Sequence, residues 1–87
     1  MSSSRPTTAV VAAVVGVLSP HLGDLMSRNA VEGQRARLGL SPDRLTPDEV
    51  ELLLQHVSLA LELFIGTERA GGVVTAARTR IAGVPPE

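Results

Sequence analysis

The chain has 87 residues, a net charge of −1 at neutral pH and no cysteine, which bounds it to one domain with a marginal core of its own and removes disulfides, thiolate metal sites and cysteine nucleophiles. One phenylalanine (Phe64), no tryptophan and no tyrosine leave no aromatic platform for stacked bases or sugars. So small a net charge gives no overall field to hold a polyanion.

Residues 1–6 read as a disordered N-terminus. The run Ala9–Leu18 carries ten uncharged residues, and Val10, Val11, Val14, Val15 and Leu18 recur with helical spacing. The spacing predicts a helix over residues 7–18; the valines, which are β-branched, keep a buried strand as the competing reading. Ala9, Ala12, Ala13 and Gly16 form a small-residue face between them. The run is half of what a bilayer span needs. Arg5 alone precedes it, no small-residue cleavage signal follows, and Pro20 stands near any cut. A cytoplasmic location is therefore expected, and a membrane partner is not.

Ser19-Pro20 offers an N-cap and a first-position proline, so the chain either kinks here or starts a second helix, predicted over 20–38. Leu18, Leu22, Leu25, Met26, Asn29, Gly33 and Ala36 form its apolar stripe, and Asp24, Arg28, Glu32 and Arg35 its charged one. Gly39 suits a C′ stop. After the linker Gly39–Leu45 comes the clearest start in the chain. Thr46 is the N-cap, Pro47 takes the first position, Glu49 completes a capping box, and Leu45 with Val50 form a hydrophobic staple. Asp48 and Glu49 also lie at the positive end of the helix dipole. A helix is predicted over 47–66 and another over 67–82, ending at Gly83 before a tail at 84–87. No internal repeat is legible.

In VELLLQHVSLALELFI (residues 50–65), eleven of sixteen residues are apolar. Glu51, Gln55, Ser58 and Glu62 cluster in a sector of about 60°, and nearly every other direction is greasy. Such a helix must be surrounded, and a second chain is the simplest way to do it. The expected fold is all-α: a helical hairpin with short flanking helices, building a four-helix bundle by dimerisation. Four short helices within one chain are the competing arrangement. In topology and loop composition alone, such a hairpin resembles the needle subunits of bacterial secretion systems; no motif is shared, and no family is assigned.

Candidate chemistry is sparse. His56 lies outside the polar sector, where it reads as a core-edge histidine more readily than as a metal ligand, a base or a pH switch. His21 and Asp24 stand at i, i+3 without the Glu-x-x-His pairing of carboxylate-bridged metal bundles. Serines 19, 27, 41 and 58 have no nucleophile-elbow context, and Gly71-Gly72 is not a phosphate loop. All eight basic residues are arginine, which reads as the codon bias of a GC-rich bacterial genome. Arg28, Arg35, Arg37, Arg44, Arg78 and Arg80 are offset by nearby acids, so no nucleic-acid partner is expected.

No catalytic residue, cofactor or metal ligand is expected, nor an enzyme. Leu53, Leu54, Val57, Leu61, Phe64 and Ile65 are expected to hold the hairpin. Leu52, Leu59 and Leu63, with His56 and with Phe64 at the edge, are expected to face a second copy or a larger protein. The leading reading is a small protein-interaction module: a regulator, adaptor or assembly subunit. A ligand-binding bundle with a leucine-lined pocket and His56 as its polar handle is the alternative, and a membrane-associated or exported hairpin subunit the third. Thr46→Ala should lower stability by about 1 kcal/mol, measurable by thermal unfolding followed by circular dichroism.

Overall fold

The computed structural model describes residues 4–85, and the all-α class holds. Four helices follow one another: α1 (Thr7–Leu22), α2 (Asp24–Arg37), α3 (Pro47–Ile65) and α4 (Thr67–Ala82). Two-residue strands, β1 (Arg5–Pro6) and β2 (Arg44–Leu45), pair antiparallel with Arg5 opposite Leu45. Each helix packs on two others, α1 on α2 and α4, α3 on α2 and α4, so one chain closes a ring around a core. The expected hairpin with short flanking helices is therefore replaced by four helices of comparable length.

The local signals account for most of the boundaries. Thr46 Oγ1 accepts from the Glu49 amide at 3.2 Å, and Glu49 Oε1 accepts from the Thr46 amide at 2.9 Å, so the capping box is formed in both directions. At the end of α2, Leu40 N–H donates to Arg35 O and Gly39 N–H to Ala36 O, with Gly39 at φ 69°. That is a Schellman motif built on the glycine. Val10, Val14 and Leu18 line the inner face of α1, and the run that could have been a strand is helical.

Two expectations fail at the α1–α2 junction. Ser19 does not cap a new helix; its hydroxyl donates back to Val15 O at 2.8 Å. Helix α1 runs through Pro20 to Leu22, because a proline in the last turn removes only one donor. The break comes at Gly23 instead, at φ 83° and ψ 161°. This resets the face of α2. Ser27 and Val31 point inward, while Leu25 and Met26 of the expected apolar stripe are exposed.

Gly66, between α3 and α4, has almost the same conformation, φ 86° and ψ 161°. At both corners the glycine N–H donates four residues back, to Ser19 O and Glu62 O. Its carbonyl accepts four residues forward, from Ser27 N–H and Ala70 N–H. Gly23 and Gly66 are 43 residues apart, and that offset superposes the two halves in sequence. Val10, Val11, Val14, Leu18 and Val31 correspond to Leu53, Leu54, Val57, Leu61 and Val74, all buried. The small, fully buried Ser27 corresponds to Ala70, one turn past each corner. The chain is thus two helix–glycine–helix units in tandem with matching buried positions, a correspondence the sequence hides because few identities survive at this offset.

The ends of the ring are sewn together by polar contacts. Thr7 donates its amide to Asp43 O at 3.0 Å and its hydroxyl to Ser41 O at 2.8 Å. Arg44 reaches Ser4 Oγ and Ser4 O, both at 2.9 Å. Arg5 Nε donates to Val84 O at 3.1 Å. Residues 4–6, expected to be disordered, are in this way tied to the linker and to the end of the chain; residues 1–3 of that segment, like 86–87 of the tail, lie outside the described residues. No large side chain touches the corner glycines, so a methyl group there adds only backbone strain. Gly66→Ala should cost ~1–3 kcal/mol, whereas Gly71→Ala, in open space within α4, should gain ~0.5–1 kcal/mol. Thermal unfolding of the two variants checks the contrast.

Candidate functional site

Helix α3 has three distinct sides. Val50, Leu53, Leu54, Val57 and Leu61 are buried in the core. Leu52, Leu59 and Leu63 lie about 150° around the helix from them at 100° per residue, and are exposed by 38%, 56% and 87%. His56 shares their side and is half-buried, with no hydrogen bond to the described residues. Glu51, Gln55, Ser58 and Glu62 form the third side, toward α4. Of the expected hairpin core, Leu53, Leu54, Val57 and Leu61 are buried and Ile65 is half-buried. Phe64 is not: 66% of it is exposed. It stands in the last turn of α3, where the Gly66 corner carries the chain away and only Leu18, Leu22, Ala30 and Gln34 border it from α1 and α2. Leu25 and Met26, which the sequence reading placed inward, add exposed apolar surface on the first turn of α2.

At the 43-residue offset, Leu52, Leu59, Leu63 and Phe64 correspond to Ala9, Gly16, Pro20 and His21 of α1. The matching positions of α1 thus hold small or polar residues, Ala9 and Gly16 half-buried and Pro20 and His21 exposed.

Between α3 and α4 runs a groove of about 720 Å³, bordered by Leu52, Leu54, Leu59 and Val74 and by Glu51, Gln55 and Arg78. Arg78 closes one end with a bidentate ion pair, Nε at 3.1 Å from both Glu51 carboxylate oxygens and Nη2 at 2.8 Å from Oε1. The hydrogen bonds from Arg78, opposed by slight burial and helped by its charge, hold the Glu51 carboxyl below the ordinary carboxylate range. Both partners are half exposed, so the pair adds little to stability. Its structural effect is to fix charge beside the leucine row.

The other outward groove, between α1 and α4, is chemically different. Gly16, Val17, Pro20 and Gly72 border it together with His21, Arg69 and Arg80, in a volume of about 490 Å³. A Cβ at Gly16 would lie 2.6 Å from Arg80 Nη1, so only glycine lets that guanidinium settle there. Arg69 and Arg80 have no acidic partner among the described residues. A small, partly open apolar crevice of about 30 Å³ lies between α1, α2 and α3, room for no more than a single water, and His56 does not line it. Among the described residues no group of three potential metal ligands gathers, and no helix is long and apolar enough to cross a membrane.

Comparison of the chain with protein-family models, with curated proteins and with solved structures finds no match.

One buried polar atom has no partner among the described residues: Ser27 Oγ. Its counterpart Ala70 is equally buried, so this position is filled for closeness of packing and not for hydroxyl chemistry. Ser27→Ala should raise stability by up to about 1 kcal/mol by removing an unsatisfied group; a lower Tm would show that the hydroxyl is used.

Proposed function

We propose that this chain is a small helical protein–protein interaction module, a regulator, adaptor or assembly subunit, that docks through the outer side of α3. The observation that carries the reading is the row Leu52, Leu59 and Leu63, exposed opposite the core where the equivalent positions of α1 hold Ala9, Gly16 and Pro20. Contiguous apolar surface on a small domain marks an interaction site. Burying a large aliphatic side chain is worth ~1.5–3 kcal/mol, so the row and Phe64 supply several kcal/mol against the entropy of association. His56, half-buried within the row, adds one polar group to a side that is otherwise aliphatic.

This reading separates stability from binding at neighbouring positions of one helix. Leu59→Glu and Leu63→Glu should keep the wild-type helical signal and Tm within a few degrees, and should abolish association measured by light scattering. Leu53→Glu, buried in the core, should unfold the domain. If Leu59→Glu melts as early as Leu53→Glu, the row belongs to the core and the reading fails.

A further inference from the structure

We infer that the groove between α1 and α4 holds an acidic peptide segment of another protein, gripped by Arg69 and Arg80. The inference uses a different surface from the leucine row and stands without it. The net charge of −1 conceals an uneven distribution. Helices α2 and α3 carry six carboxylates against three arginines, whereas α1 and α4 carry one carboxylate, Glu68, against three arginines. Arg78 is engaged by Glu51. The guanidinium groups of Arg69 and Arg80 have neither an ion pair nor a hydrogen bond among the described residues. Glu68 lies about 100° around α4 from Arg69, and no carboxylate borders the groove. Arg69 also stands in the first turn of α4, where the helix dipole adds positive potential.

The Arg80 side chain is laid into the groove. Its guanidinium rests on α1 at Gly16, where a Cβ would come within 2.6 Å of Nη1 and 3.7 Å of Cζ. A charged fork seated on a helix without an acceptor keeps its donors for a carboxylate. Pro20, Gly72 and Ala76 extend a floor of small residues, so a main chain can approach closely. Arg69 and Arg80 are eleven residues apart, about 16 Å along the helix and within about 20° of the same side. Roughly five residues of extended chain cover that distance, which a single small anion does not. A nucleic acid is a poor occupant: no aromatic side chain borders the groove to stack a base, and two arginines neutralise few phosphates.

Fluorescence anisotropy of a fluorescein-labelled hexaglutamate peptide, titrated with the full chain at low salt, tests the assignment. Wild type should bind it saturably. Arg69→Gln and Arg80→Gln should each weaken binding about tenfold, the loss of one charge-assisted contact, at unchanged Tm. Arg37→Gln, which removes an exposed charge of α2 outside the groove, should leave binding as it is. Gly16→Ala should push the Arg80 guanidinium off α1 and weaken binding without lowering Tm, because alanine is the better helix former. Leu59→Glu should bind the peptide like wild type, whatever it does to association through the leucine row. Failure of hexaglutamate to bind overturns the proposal, as does an Arg37→Gln variant weakened as much as Arg80→Gln, which would reduce the attraction to net charge. Binding indifferent to Gly16→Ala overturns the seating of Arg80 as the grip. Complete displacement by low-millimolar inorganic phosphate at matched ionic strength overturns the peptide in favour of a single small anion.

Discussion

Two backbone conformations determine how the rest of this chain is arranged. Gly23 and Gly66 sit near φ +85° and ψ +161°, a region essentially closed to residues with a Cβ. Each reverses the chain within one residue while serving as C-cap of one helix and N-cap of the next. With so short a connection the flanking helices must pack along their length, and the residue one turn on must be small, which Ser27 and Ala70 are. The ring then needs only the linker and the chain ends to be held. Thr7, Arg5 and Arg44 do that by hydrogen bonding to backbone carbonyls of the linker, the C-terminal stretch and Ser4. No disulfide or large aromatic core residue is required.

Because the corner recurs, each half shows what the other needs for folding. Most positions that face the core agree in character across the 43-residue offset, among them Val14 with Val57 and Leu18 with Leu61, although Val15 matches Ser58 and Ala77 matches Gln34. Positions that face outward have diverged. One outward groove has Gly16 under Arg80 and is rimmed by His21 and Arg69; the outer side of α3 carries leucines. Divergence on the outside of a shared scaffold separates what stability demands from what the surface is used for.

Local structure is legible in the sequence where a single residue type has one dominant use. Thr46-Pro47-Asp48-Glu49 predicts a capped helix start, and Gly39 predicts a C′ stop, because both depend on local hydrogen bonds. It is not legible where two punctuation signals compete. Ser19-Pro20 looked like a helix start, but a hydroxyl that can bond back to Val15 and a proline near a helix end are both compatible with continuing, and Gly23 supplied the stronger break. That three-residue error rotated α2 and put Leu25 and Met26 on the wrong side. The repeat was invisible because a core position accepts valine or leucine equally, so burial is retained while identity is lost. Strands β1 and β2 left no signal, since two residues form them and their partners lie far apart in sequence. Of the candidate site, the leucine row was readable from periodicity; that it lies opposite the core, and that Phe64 is uncovered, depended on where the corner at Gly66 sends the chain.

The tension in α3 is that a helix apolar on two opposite sides stabilises a monomer with only one of them. The core side is satisfied within the ring, where α3 packs on α2 and α4. The outer side is only partly covered by the fold, with Leu63 almost wholly exposed, and a leucine row on a small domain invites non-specific association. The sequence limits that hazard from one flank: Glu51, Gln55, Ser58 and Glu62 border the row, with Arg78 pinned to Glu51. A polar border of fixed geometry leaves the row able to meet a matching surface while disfavouring arrangements that bury the strip against apolar groups. His56 stands half-buried within the row and lowers its apolarity at one point.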